Sequence, residues 1–255
     1  MTRWVRFEAN GHVAYGTLEE DVISIHDGDP FTRTTPTGRT VSLSEATPLT
    51  PCAPSKMICL WNNSRASAAK LNLAEPVDPL YFLKAPTAFL ANGQTIPRPS
   101  SYSGRVLFEG ELGIVIGRRC AHVSEADADD VIFGYTCVND VTAFDLLNKD
   151  AAFPQWARCK GFDGFAPFGP VIATDIDPDA LVIKSLLDGR ERQNYSVSDM
   201  FFSPRRLLSL ISQDLTLLPG DVISCGTSLG PVPMKPGAKI EISIDGIGTL
   251  MNVMG

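Results

Sequence analysis

The chain has 255 residues, 44% of them hydrophobic, with 22 basic side chains against 29 acidic ones and a formal net charge of −7. That balance excludes a nucleic-acid or anionic-membrane partner recognised by bulk charge. The length suits one globular domain with a small appendage, with enough core to fold without disulfide staples.

The opening "MTRWVRFEANGHV" lacks the apolar stretch of a signal peptide, and no apolar run approaches the ~20 residues of a membrane helix. Six scattered cysteines without a C-x-x-C pair read as reduced packing residues, so the expected location is cytoplasmic. His12, His26 and His122 lie too far apart to suggest a histidine-based zinc site.

In chain order, "RFEANGHVAYGTL" places Asn10-Gly11 between strand-like runs, a hairpin signal. "TPLTPCAPS", with Pro48, Pro51 and Pro54, marks a boundary between a small N-terminal β segment (1–50) and the main body (55–255). "NNSRASAAKLNL" predicts a helix capped by Ser64, and "SEADADDVIFGY" predicts a short one capped by Ser124. Asp188-Gly189 and Asp245-Gly246 repeat the hairpin signal, and Ile240, Ile242 and Ile244 alternate before the second of these. "SPRRLLSLIS" predicts a helix with Ser203 as N-cap, Pro204 in the first turn and an apolar stripe of Leu207, Leu208 and Ile211. The pattern predicts a mainly β chain with a few short helices (α+β).

"VLFEGELGIVIG" raises a chemical question. Residues two apart on a strand share a face, so Leu112, Ile114 and Ile116 point one way and Glu109 and Glu111 the other. Like charges side by side are costly unless the face is wet or a cation sits between them. Thirty residues on, "VIFGYTCVNDVTAFD" runs apolar into Asp140, which a strand ending there would leave at a sheet rim. Three carboxylates with no His or Cys partner form an all-oxygen set, which suits Mg²⁺, Mn²⁺ or Ca²⁺. Arg158 and Lys160 in "ARCKGFDGFAPFGP" offer balancing charge. By pattern alone, a solvated strand face explains Glu109 and Glu111 equally well, and Lys84 in "YFLKAP" reads equally as a surface lysine or a member of the site. Trp61 and Phe82 read as core or pocket wall.

The segments "FEGELGIVIG", "GYTCVNDVTAFD", "QWARCKGFDGFAPFGP", "LDGRERQNYSVSDMFFS", "LTLLPGDVISCGTSLG" and "MKPGAKIEISIDGIGTLMN" occur in this order. Together they resemble the fumarylacetoacetate hydrolase superfamily, which includes acylpyruvate hydrolases and 2-hydroxyhepta-2,4-diene-1,7-dioate isomerases, over residues 55–255. The resemblance implies a β roll, a homodimer, and a Mg²⁺, Mn²⁺ or Ca²⁺ ion that handles a small 2-oxo acid. It implies metal ligation by Glu109, Glu111 and Asp140, and Lys160 as the active-site lysine. Gly226 and Thr227 would hold the substrate carboxylate, with Gln155 and Arg158, in the same region as Lys160, as further substrate-binding residues. Hydrolytic members carry a His–Glu pair on a lid. The matching stretch here, "ICLWNNSRASAAKLNL", has Ser67 and Lys70 at those positions, with Glu75 further along. A serine cannot take a proton near neutrality as imidazole does. The expected activity is therefore isomerisation or decarboxylation through a metal-stabilised enolate. The alternatives are acylpyruvate hydrolysis and a non-catalytic protein that binds metal and 2-oxo acid.

Overall fold

The computed structural model describes residues 1–255. The fold is mainly β: fourteen principal strands and three α-helices carry it, with short 3-10 turns between them. The first four strands, β1 (Arg3–Ala9), β2 (His12–Glu19), β3 (Val22–Asp29) and β4 (Arg33–Ser42), form a meander. Asn10 and Gly11 both adopt positive φ at its first turn, as a tight hairpin requires. The body follows with β5 (Met57–Trp61), α1 (Arg65–Leu71), β6 (Leu80–Lys84), β7 (Gly110–Ile116), β8 (Ile132–Asn139), α2 (Trp156–Lys160) and β9 (Ala166–Ala173). The last elements are β10 (Val182–Leu187), β11 (Arg190–Ser196), α3 (Pro204–Asp214), β12 (Val222–Ser224), β13 (Lys239–Ile244) and β14 (Gly248–Met254).

One sheet runs β4-β3-β2-β1-β9-β8-β7-β12-β5-β6, and a second runs β11-β10-β13-β14 with a short strand at Thr95–Ile96. The N-terminal meander thus continues the main sheet: Arg3 pairs with Ala173 and Trp4 with Ile172 across β1 and β9. The large sheet rolls up. Four strand spacings of about 4.8 Å would hold β8 and β6 about 19 Å apart in a flat sheet. Yet Lys84, the last residue of β6, places Nζ 2.6 Å from Oδ1 of Asp140, which follows β8. No helix is long and apolar enough to cross a membrane.

Local signals shape the elements. Ser203 accepts a hydrogen bond from the Arg206 amide to cap α3, whose Leu207, Leu208 and Ile211 are fully buried. Each such side chain contributes about 1.5–3 kcal/mol on leaving water. The Asp188-Gly189 turn has both residues at positive φ. The β13–β14 hairpin is wider than a two-residue turn, because Ile244 pairs with Gly248 and leaves Asp245, Gly246 and Ile247 in the loop. Ser124 caps a 3-10 turn at Glu125–Asp130 rather than an α-helix.

Strand β7 lies mid-sheet, paired with β8 on one side and β12 on the other. All seven of its residues are buried. Leu112, Ile114 and Ile116 enter the larger core and Val115 a smaller one, so neither face is wet.

Candidate active site

Antiparallel pairing sets the first part of the site. Gly110 of β7 faces Asn139 of β8, so the start of one strand meets the end of its neighbour. Glu109 and Glu111 therefore come together with Asp140, and oxygens of all three lie within 4.8 Å of one another. The Asp140 amide donates to Glu109 O at 2.9 Å, and the Glu109 amide to Asn139 Oδ1 at 3.0 Å, which locks the junction. Glu111 and Asp140 are wholly buried, while the Glu109 side chain retains 17% of its exposure.

Two lysines answer the three carboxylates. Lys160, at the end of α2, donates to Glu109 Oε2 at 2.7 Å and to Asp140 Oδ2 at 2.6 Å. The fully buried Lys84 meets the other Asp140 oxygen, Oδ1, and donates to the Val141 carbonyl at 3.2 Å and to the Phe165 carbonyl. Phe82 lies 5.1 Å from Lys160 Nζ and stacks on Trp156, which also packs against Trp61. The aromatic trio thus anchors α2 and roofs the lysine. Lys84 is the residue that sequence reasoning left open; its only local signal was a cation closing an otherwise apolar strand.

Burial pushes the Glu111 carboxyl up to about 8, with the charges of Asp140 and Glu109 adding to the effect. Burial also raises Glu109, against the pull of Lys160. For Asp140 burial works in the same direction, but Lys160 and Lys84 outweigh it and hold the carboxyl below its ordinary value. Lys160 is held well above its ordinary value despite burial, because Asp140 and Glu109 face it.

The donor set fits a divalent ion. Glu111 Oε2 accepts from Ser224 Oγ and from the Gly226 amide, yet Glu111 Oε1 is buried without any partner. Glu111 Oε1 is the one oxygen of the three carboxylates left so, since Lys84 Nζ already meets Asp140 Oδ1 at 2.6 Å. Buried carboxylate oxygens left this way are costly unless a cation meets them. Charge points the same way. Three carboxylates exceed two ammonium groups by one, so a divalent ion would leave the centre at +1, matched to a carboxylate ligand. Oxygen-only ligands suit Mg²⁺, Mn²⁺ or Ca²⁺.

A cavity of about 410 Å³ opens beside Glu109, and Ser67, Asn62 and Thr227 line it. Thr227 Oγ1 donates to the Gly110 carbonyl and accepts from Gln193 Nε2, so its hydroxyl is engaged. The Gly226 amide is committed to Glu111, a direction its φ of 90° permits and a Cβ, 3.2 Å from Asn63, would disfavour. The Thr227 amide has no hydrogen-bond partner within the chain. Gln193 and Tyr195, both on β11, fasten Gly110 and were not legible as site residues in the sequence.

The structure does not bring the remaining candidates into the cluster. The Arg158 side chain is exposed and makes no hydrogen bond or ion pair; Gln155 stands at the N-cap position of α2 without capping it, and its side chain donates to the Phe153 carbonyl. Lys70 and Glu75 are exposed. Cys159 is buried, and burial raises its thiol to about 11, which makes it inert near neutrality. Ser228 shares hydrogen bonds with Ser64 and Asp199 in a knot that fastens the start of α1.

Carboxylates gathered at strand ends inside a rolled sheet, with no histidine or thiol among them, form an oxygen-only set that could hold a cation in a β-roll protein. Comparison with known proteins narrows that class. Residues 56–254 match the family described as fumarylacetoacetate (FAA) hydrolase C-terminal, and the chain belongs to it. Residues 2–51 match a family described as Rv2993c-like, N-terminal. Oxaloacetate tautomerase YisK of Bacillus subtilis is 36% identical over 79% of this chain and 70% of its own length. The crystal structure of a 2-hydroxyhepta-2,4-diene-1,7-dioate isomerase from Mycobacterium marinum superposes with a TM-score of 0.91, at 37% identity, over 100% of this chain and 98% of that one. Maleylpyruvate hydrolase from Sphingobium sp. SYK-6, solved with manganese (II) ion and pyruvate, gives 0.78 at 25% identity over 99% of each chain.

Proposed function

We propose that this chain is a divalent-metal-dependent enzyme that interconverts keto and enol forms of a small 2-oxo acid, or decarboxylates it. The observation that carries this reading is the absence of a base on the wall facing the carboxylates: Ser67 lines the cavity and Lys70 does not. Hydrolysis of an acylpyruvate needs an activated water, whereas enolisation needs only stabilised negative charge and a proton carrier.

Glu109, Glu111 and Asp140 would hold the ion, which when bound supplies Lewis acidity toward the carboxylate and 2-oxo oxygen of the substrate. Lys160 would hold a positive charge against the developing enolate; on return to the keto form it would give its proton to C3 and recover one as the 2-hydroxyl proton is released. Phe82 and Trp156 exclude water from that ammonium. The Thr227 amide is the free donor for the substrate carboxylate, while Gln193 and Gly110 hold its side chain in place. Likeness to an oxaloacetate tautomerase supports the reading. Likeness to a maleylpyruvate hydrolase supports C–C hydrolysis as the second reading.

Rates on oxaloacetate and acetylpyruvate, measured side by side with saturating Mg²⁺ and again with EDTA, test the proposal. Faster metal-dependent enol–keto exchange or decarboxylation of oxaloacetate is expected. Rapid cleavage of acetylpyruvate with oxaloacetate inert would replace this reading with the second one; binding of both without turnover would make the chain a non-catalytic receptor.

The proposed assembly is a homodimer, supported by the free edge of β6, where Leu80 and Leu83 are exposed. Sedimentation velocity would detect a species of twice 27.5 kDa. Six unpaired cysteines support a reducing, cytoplasmic setting.

A further inference from the structure

The cavity beside Glu109 has an outer end of different chemistry. Arg105 is the one basic side chain in its lining. Arg105 Nε donates to Asp145 Oδ1 at 2.9 Å, Nη2 donates to the same oxygen, and the guanidinium lies 4.7 Å from the centre of the Phe144 ring. Those contacts hold the planar fork in one orientation and leave Nη1 without a partner. Asp145 also accepts from the Arg105 amide and from Tyr102 Oη, so its charge is shared. The shallow groove that continues outward from this rim adds Arg98 and Lys235 to Arg105, three cations against the single carboxylate of Asp145. The rim is net positive in a chain that is net negative.

The wall between the two ends is apolar. Leu71, Leu73, Phe144 and Leu229 are among the large hydrophobic side chains left at least two-fifths exposed, and all four line this one cavity. Apolar exposure concentrated around a concave site marks a place where a ligand is received.

We propose that Arg105, held by Asp145 and Phe144, is the specificity-determining residue of the site. It receives a second anionic group at the far end of a 2-oxo acid whose intervening carbons are apolar. The inference rests on the 2-oxo acid reading above and adds which member of that class is preferred. The Leu71–Leu73 wall contacts the carbon chain, and the free edge of the guanidinium takes the distal carboxylate through charge-assisted hydrogen bonds.

A matched pair of probes tests it: 2-oxohexanedioate and 2-oxohexanoate, titrated calorimetrically into the full chain with Mg²⁺. The wild-type protein is expected to bind the diacid about tenfold more tightly, the scale of one partly exposed charge-assisted hydrogen bond. Arg105→Met is expected to bring the ratio of the two dissociation constants to near one. Arg105→Lys, which keeps the charge and loses the fork, should give an intermediate ratio, and it decides the matter if the methionine variant does not fold. Equal binding of both acids by the wild type, or an unchanged ratio in the variants, overturns this inference and leaves the 2-oxo acid reading standing. Binding of neither acid overturns both.

Discussion

The carboxylate–lysine centre and helix α1 face one cavity and are built on opposite terms. In the centre, Glu111, Asp140, Lys84 and Lys160 are buried, and nearly every polar atom answers another one. Their backbone belongs to paired strand ends or to a helix pinned by aromatic rings. Helix α1 has seven residues, of which only Ala68 is buried. Its anchors are the Ser64 cap and the Asp199 carboxylate, which accepts from Ser64 Oγ and from the Ala66 amide. A helix this short is marginal in water without tertiary contacts. Rigid strand ends therefore carry the charges that must not move, while a weakly held helix supplies the wall.

The comparison breaks most severely at Glu111. Glu111→Ala should abolish Mn²⁺ binding in calorimetry, because it removes one of three anionic ligands and leaves Ser224 and the Gly226 amide without their acceptor. Retained affinity in that variant would remove Glu111 from the metal site.

Lys160→Met should lower turnover of a working 2-oxo diacid by at least about 10²-fold, the low end of acid–base effects. Breaking a buried ion pair costs about 3–5 kcal/mol, so the metal-free variant should melt well below wild type. Mg²⁺ should recover more melting temperature in the variant than in the wild type, since it meets the carboxylates that the lysine abandoned. An equally active Lys160→Met protein would take the lysine out of the mechanism.

The pH dependence of the metal-free protein sharpens the contrast further. Glu111 rises from 4.5 to about 8 on folding. Between those values the native state binds more protons than the unfolded state, so stability falls as pH rises and levels off above about 8. Melting in EDTA across pH 5 to 8 should follow that slope, and Mg²⁺ should flatten it by replacing the proton. Magnesium binding at neutral pH should accordingly release a proton, seen as a dependence of the calorimetric heat on buffer ionisation enthalpy. A buffer-independent heat would mean that Glu111 is already ionised.

The smallest effect belongs to α1. Ser64→Ala should cost about 1 kcal/mol, as loss of an N-cap does. Hydrogen exchange should quicken over residues 65–71 and stay slow in β7, with Mn²⁺ affinity essentially that of wild type. Weakened metal binding in Ser64→Ala would show that the helix and the centre are coupled.

Much of this molecule was legible before folding, because local rules govern it. Asn10-Gly11 and Asp188-Gly189 made tight turns since few other pairs tolerate two positive φ values in succession. Ser203 and Pro204 opened α3, and the E-x-E at the entry to β7 placed two carboxylates beside each other. The wider turn at Asp245-Gly246 escaped the same rule, because the pairing of Ile244 with Gly248 sets its length.

By itself the sequence determined the strand-rich class, the main turns and caps, the family, and the three carboxylates that gather. Each depends on spacing along the chain or on several motifs in order. Only the tertiary structure decided that Lys84 is a buried partner of Asp140, since that requires a sheet rolled far enough to join strands four places apart. It alone committed the Gly226 amide to Glu111 and left Arg158 at the surface. It also set Arg105 on Phe144 at the rim of the cavity. Burial and the sharing of a hydrogen-bond donor are properties of what packs around a residue, and that neighbourhood comes from segments remote in the chain.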